Sequence, residues 1–366
     1  MLHYIGIFTD LSKEDKRMVS AAAVTKMKYV ALKLSQAYNE TVMVFSPGRV
    51  ESQSKIFYSS KKYELNKFAH IEEAASFSSK TKLLRIFNYI FLHFQLLRYL
   101  FFKVKDEDVL VVYHTLFYKN DIRIYRKIKK TKVIMEIEEL YMAAWMKNNL
   151  DAEIRYLSGF DGYIYVNDIM NVKFQFKKPY AVCYGNYDVS GNCKTRTNEK
   201  TLIYAGGLGK KGSDVDLAIN VMAYLPDYKL VIAGSGHDDE IKYVKDRIKE
   251  YSNIEYVGFL TGDEYEKCLD TIKFGLCTRM LPNNLSDYTF PSKIFVYLSH
   301  GIIPVCPMLN CISESEVNDY VLFYEKNNPE LVANCILNCS IPKEFDKKIE
   351  ELDDKFLLEL KAVLSM

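Results

Sequence analysis

The 366-residue chain has one tryptophan, six histidines and no CxxC pair. Eight cysteines are present, all from residue 183 onward, with no clustered histidines beside them. That spacing indicates neither a zinc site nor a disulfide framework; buried thiols in a reducing cytoplasm are the expectation. The N-terminal MLHYIGIFTDL lacks a basic stretch ahead of an apolar one, which argues against a cleaved signal peptide. Short-period repeats and a Walker phosphate loop are absent. A nucleotide-cofactor dehydrogenase is not the expectation, and no cofactor or metal is assigned. A long uninterrupted apolar run is also missing. The segment 83–104, LLRIFNYIFLHFQLLRYLFFKV, is broken by Arg85, Asn88, His93, Gln95 and Arg98. A spanning helix wants roughly 20 mostly apolar residues and tolerates central charge poorly. Two readings of this segment stay open: a domain helix, or a helix lying at a membrane surface with its cations snorkelling.

What is present is ordinary globular material, 49% hydrophobic and 26% charged, in a length that suits two domains. The 28 tyrosines and 21 phenylalanines are expected chiefly in strands and core. A net charge of +2 conceals an asymmetry. Residues 1–188 carry 29 Lys/Arg against 20 Asp/Glu, and residues 189–366 carry 20 against 27. The basic half either faces something anionic, such as a membrane surface or lipid phosphate, or is a solvated lysine-rich surface. Nucleic acid has no other support and is not expected as a partner.

In the second half, apolar runs of strand length alternate with amphipathic segments: 201–207, 228–236, 253–259, 273–279, 301–307 and 320–325. The first half repeats the theme at 4–9, 41–46, 108–114, 132–138, 161–166 and 180–185. Strands without alternation, separated by helices of about 10 residues, predict parallel sheets covered on both faces. The polar run 189–200 predicts a linker. The expected domains are 1–188 and 198–342, with a charged amphipathic helix over 343–366.

Ligands of open α/β sheets collect beyond the C-terminal ends of the strands. GGLGKKG (206–212) is one such strand–turn–helix junction, and AGSG (233–236) and VGF (257–259) are others. Each alone is equally a tight turn. DYTFPSKIFVYLSHGIIPV (287–305) is more informative. Thr289 or Ser292 suits a helix cap, Pro291 the first turn and Gly301 the end, and Lys293 adds charge where a diphosphate would sit. In the first half MEIEELY (135–141) closes a strand with three carboxylates, Glu136, Glu138 and Glu139, and period 2 puts the first two on one side. His114 ends the strand DVLVVYH. Both features also have a purely structural reading.

In their order and spacing from 201 to 325, these pieces resemble the donor-binding half of GT-B glycosyltransferases of the group 1 or family 4 kind. The resemblance implies two Rossmann-like domains facing each other across a cleft, with the C-terminal helix returning to the first. It implies a nucleotide-sugar donor and a saccharide or lipid-linked saccharide acceptor. It also implies retaining, metal-independent transfer in surface polysaccharide synthesis, in the cytoplasm or peripherally on the inner membrane face. Carried over by residue, Gly206, Gly207, Lys211, Gly234 and Gly236 form the diphosphate turns. Gly258, Phe259 and Leu260 form the base edge, and Asp287, Pro291, Ser292 and Lys293 belong to the helix start. Glu138 or Glu139, with His114, falls in the catalytic place, and Arg17 and Ser20 contact the acceptor. One departure stands out: Val296 occupies the position of the family's ribose-binding glutamate, and its partner acid falls on Tyr288, beside Asp287. That departure keeps a non-catalytic GT-B-like scaffold in view, and a sugar-nucleotide epimerase on the same fold is a further expectation.

Overall fold

The computed structural model describes residues 1–10, 17–18, 21–52, 54–144, 149–187, 200–209, 214–279, 287–340 and 344–365. The chain divides into two compact units, Met1–Asn186 with Asp354–Met366, and Tyr187–Asp353. The linker expected over 189–200 lies, but for Lys200, outside the described residues.

The first unit contains β1 (Leu2–Ile5), β2 (Val42–Ser46), β3 (Phe57–Tyr58), β4 (Lys61–Leu65), β5 (Ala69–Glu73), β6 (Ser76–Phe77), β7 (Val109–Tyr113), β8 (Lys132–Ile137), β9 (Gly162–Tyr165) and β10 (Tyr180–Val182). Eight of them form one sheet in the order β10-β9-β8-β7-β1-β2-β5-β4, while β3 pairs with β6. Every neighbour in the large sheet is parallel except β4, which runs antiparallel to β5. The central β7, VLVVY, is buried at every position, as helices on both faces require. The edge strand β4, KKYEL, carries lysines that blunt its free edge.

The sequence places the first strand at 4–9, but β1 ends at Ile5; Phe8 turns back so that its ring lies edge-on to Tyr4 at 5.3 Å. Strands β4 and β5 were not legible, because KKYEL and AHIEE read as polar surface. The interrupted apolar segment forms one helix, Lys82–Phe102, capped by the Thr81 hydroxyl accepting from the Leu84 amide at 3.2 Å. Among the described residues no helix is long and apolar enough to cross a membrane.

The second unit contains β11 (Thr201–Gly207), β12 (Lys229–Ser235), β13 (Ile254–Gly258), β14 (Phe274–Leu276), β15 (Ile303–Pro307) and β16 (Leu322–Tyr324). They form an all-parallel sheet in the order β13-β12-β11-β14-β15-β16. Numbered from β11 this is 3-2-1-4-5-6, the doubly wound Rossmann order, and it reverses between β11 and β14. The first sheet reverses between β1 and β7. Switch points of this kind are where open α/β sheets take their ligands.

The terminal helix, Phe345–Ser365, ends on the first unit. Lys132 Nζ donates to the carbonyls of Val363 (2.7 Å) and Leu364 (3.1 Å), and the Glu359 carboxylate accepts from the Val182 amide at 2.8 Å.

Candidate functional site

At the switch point of the second unit, β11 ends in Gly206 and Gly207, paired with Gly234 and Ser235 of β12. A Cβ on Gly234 would stand 2.0 Å from the Gly206 carbonyl oxygen, so backbone meets backbone here. A Cβ on Gly206 would stand 2.3 Å from Lys293 Nζ, and its φ of +156° disfavours any side chain. The missing Cβ is what allows the lysine to reach the strand end. A Cβ at Gly236 would likewise meet the Glu240 carboxylate at 2.7 Å.

Lys293 opens the helix Lys293–Ser299, which is fixed by its buried face of Ile294, Phe295, Tyr297 and Leu298. Its first turn closes on the carbonyls of Pro291 and Ser292, at 3.0 and 3.3 Å from the Ile294 and Phe295 amides. Gly301, at φ +66°, ends it. The Lys293 ammonium lies 5.4 Å from the Tyr204 ring centre and has no hydrogen bond or carboxylate among the described residues. Burial draws its pKa below lysine's ordinary value. A cation so placed favours an anion.

Gly258, at φ +83°, ends β13 with open space on its Cβ side, and Phe259 beside it is 64% exposed. Leu260 is half-buried and Ser292 exposed. Asp287 Oδ1 accepts from Asn310 Nδ2 at 3.2 Å, and Asn310 begins the helix after β15. Val296 is half-buried, and its carbonyl is 2.8 Å from the His300 ring. Lys211 lies outside the described residues. Gly207, Gly209 and Gly212 have the bare spacing of a dinucleotide fingerprint. Yet β12 ends in Gly234 and Ser235 and is followed by Gly236, without the acid that would hold a dinucleotide ribose.

In the first unit a cavity of about 330 Å³ opens at the switch point, lined by Ile7, Gly48, Arg49, Arg85, Tyr89 and Thr115 among others. Ile7, Gly48 and Thr115 follow β1, β2 and β7. Arg17 is buried beside it: its guanidinium donates to the carbonyls of Gly48 and Ala74 and lies 3.4 Å from the Glu73 carboxylate. It pins the loops behind the cavity. Ser20 lies outside the described residues. Arg49 and Arg85 were missed in the sequence, where Arg85 counted only as an interruption of an apolar run. Its signal was a cation on the same helical face as the buried Leu92.

The three carboxylates at the end of β8 differ sharply. Glu136 is fully buried and, with its Oε1 and that of Glu138 left without a hydrogen-bond partner among the described residues, accepts the Tyr4 hydroxyl on Oε2. Burial, then the Glu138 charge, pushes its pKa up to about 8. Glu138 pairs with Lys26 at 2.7 Å, both being nearly enclosed. Glu139 is half-buried, has no partner among the described residues, and is raised by burial and by the charges of Glu138 and Glu153. His114 is 2% exposed; its Nε2 lies 2.7 Å from Glu153, which also accepts the Tyr141 and Met142 amides.

The Glu136 shift sets a pH dependence. The folded chain keeps a proton there that the unfolded chain loses above the ordinary value near 4.5, so this group's contribution to stability falls as pH rises from about 4.5 to about 8. Glu136→Gln keeps the Tyr4 contact, its carbonyl accepting the hydroxyl, and removes the titrating group. The variant's melting temperature should gain on the parent's as pH rises through that window, with stability slopes differing by up to about 1.4 kcal/mol per pH unit. Parallel melting curves from pH 5 to 8.5 would contradict a proton held on Glu136.

No known protein-family model matches the chain, and no curated protein matches it in sequence. Solved structures do match in fold. The α,α-trehalose 6-phosphate synthase of Burkholderia multivorans aligns with a TM-score of 0.65 at 9% identity, covering 100% of this chain and 95% of its own. The UDP-forming α,α-trehalose-phosphate synthase of Burkholderia xenovorans, in complex with glucose-6-phosphate, gives 0.65 at 10%, covering 99% and 96%. The E. coli protein bound with UDP-2-fluoro glucose gives 0.63 at 8%, covering 100% and 97%. At such identities the likeness is one of architecture: the chain has the GT-B fold of two Rossmann-like units.

Proposed function

We propose that the protein is a glycosyltransferase moving a sugar from a nucleoside-diphosphate donor on the second unit to a saccharide or lipid-linked saccharide on the first. The unpartnered Lys293 ammonium at the glycine-lined end of β11 carries this reading. A donor diphosphate supplies the charge that this lysine lacks, and Gly206, Gly207, Gly234 and Gly236 let it approach the backbone; Lys211 adds a second cation in the resemblance. Phe259 offers a face for the base, and Asp287 replaces the ribose-binding acid that Val296 cannot be.

The acceptor oxygen bonds to the anomeric carbon on the face from which the diphosphate departs with its electron pair, so configuration is retained. The hydroxyl proton passes to Glu139. Lys293 balances the charge growing on the leaving group without a metal, the kind of preorganised stabilisation that dominates such reactions. His114 acts as a positioning residue, holding Glu153 and thereby the Tyr141–Met142 turn beside Glu139. Arg49 and Arg85 contact the acceptor, with Arg17 supporting the loop behind them. The reaction belongs to surface polysaccharide synthesis, in the cytoplasm at the membrane face, a reading supported by the resemblance of the glycine turns and the Pro291–Lys293 helix start to transferases of that kind. Lipid-linked acceptors are reached there.

A thermal-shift panel of nucleotide-sugars tests the donor. A ligand at about a hundred times its Kd adds about 2.7 kcal/mol, or roughly 5–10 °C in melting temperature. No shift with any nucleotide-sugar, and no heat on titrating UDP, would leave the scaffold reading in its place. Donor converted to another sugar nucleotide without acceptor would instead indicate the epimerase.

A further inference from the structure

The helix Lys82–Phe102 has two opposite faces. Asn88, Leu92, Leu96, Tyr99 and Leu100 are buried against the first unit. Leu83, Ile86, Phe87, Ile90 and Phe94 are 51% to 79% exposed. At 3.6 residues per turn these five fall within about 100° of arc, a continuous apolar ridge. The ridge continues across the surface: Phe77 lies 5.0 Å from Phe87 and 4.9 Å from the half-exposed Phe57. A monomer rarely leaves such a stripe uncovered without a contact role.

Charge identifies the occupant. From Ser78 to Lys105 there is no acidic residue, and besides the cavity-lining Arg85 the segment carries the exposed cations Lys80, Lys82, Arg98, Lys103 and Lys105. The helix Lys119–Ile128 packs beside it through His93 and Asp121 (2.6 Å) and Phe101 and Tyr125 (5.6 Å). That helix exposes Ile124, Ile128, Arg123 and Lys127, and exposed Lys130 follows it. An apolar ridge inside a cationic rim fits an anionic bilayer, where the ridge enters the acyl boundary and the cations meet phosphates. A second copy fits poorly, since a two-fold contact would set this basic rim against itself.

We propose that the outer face of helix Lys82–Phe102 docks the protein on an anionic lipid bilayer. Docking holds the cavity on the helix's inner side at headgroup level, because Arg85, Asn88, Tyr89 and Leu92 of that helix line the cavity. The inference rests on the acceptor reading above and narrows it: the acceptor is a lipid-anchored saccharide approached from the membrane surface.

Flotation of the full chain with vesicles tests the docking. The protein should float with phosphatidylcholine vesicles containing about a third phosphatidylglycerol, release with salt, and stay unbound with phosphatidylcholine alone. The triple variant Leu83→Gln/Ile90→Gln/Phe94→Gln replaces exposed side chains with a good helix former and should keep the parent melting temperature. Its partitioning should fall about a hundredfold. Lys127→Glu/Lys130→Glu should lower partitioning about tenfold or more while leaving the ridge intact. Parent protein remaining unbound, or the triple variant floating like the parent, would overturn the proposal. So would a parent dimer in sedimentation that the triple variant dissolves, which would assign the face to a second copy. Nucleotide-sugar binding is read separately in solution. Flotation without donor binding therefore removes the enzyme reading and not the docking, and donor binding without flotation does the reverse.

Discussion

Lys293→Met is expected to lower kcat/KM for sugar transfer about 10²- to 10³-fold, the usual cost of deleting one preorganised charge at a leaving group. Methionine keeps the length and the apolar stem but leaves the diphosphate unneutralised. The melting temperature should hold or rise, because the variant removes a partly desolvated cation that has no carboxylate among the described residues. Gly206→Ala should lower transfer in the same direction, since its Cβ would stand 2.3 Å from the ammonium and displace it, although here stability should fall as well. The double variant should lose little beyond Lys293→Met alone, for both changes remove one interaction. Calorimetry with UDP adds a pH test. Burial disfavours the charged amine, so nucleotide affinity should weaken as pH rises through a value below lysine's ordinary one. Parent-like transfer by Lys293→Met would remove the diphosphate site, and with it the donor reading.

The parallel core was legible because sheets covered on both faces demand unbroken apolar runs. VLVVY and TLIYAGG could hardly be anything else, and the glycines that end TLIYAGG marked the ligand end of the second sheet. The edge pair β4 and β5 was not legible, because a charged edge strand looks like surface. Within the candidate site, residue type was visible and accessibility was not. Arg17 was carried over from the resemblance as an acceptor contact and His114, at a strand end, kept both a contact and a structural reading; the structure encloses both, one among loop carbonyls and one against Glu153. Arg49 and Arg85 gave no sequence signal strong enough to separate them from solvated cations, since the cavity they line is assembled from three strand ends and a helix far apart in the chain. Lys293 was placed by the helix-start motif, but its approach to Gly206 needed the sheet register.

The two neighbouring carboxylates Glu138 and Glu139 should separate cleanly under the same substitution. Glu139→Gln is expected to reduce kcat about 10²- to 10⁴-fold with KM little changed, because an amide cannot take the acceptor proton. Glu139 is half-buried and has no described partner, so its removal strands no other charge. Its raised pKa means that parent kcat should decline as pH falls through a value above the ordinary glutamate range, and the variant should lack that limb. Glu138→Gln leaves the nearly enclosed Lys26 ammonium without its carboxylate 2.7 Å away. Breaking a buried pair in this way costs about 3–5 kcal/mol, or roughly 10 °C in melting temperature, while turnover per folded molecule should stay near that of the parent. The reverse pattern, with catalysis lost in Glu138→Gln and kept in Glu139→Gln, would move the base to the Lys26-paired carboxylate. Near-normal turnover in both would mean that the end of β8 takes no proton from the acceptor.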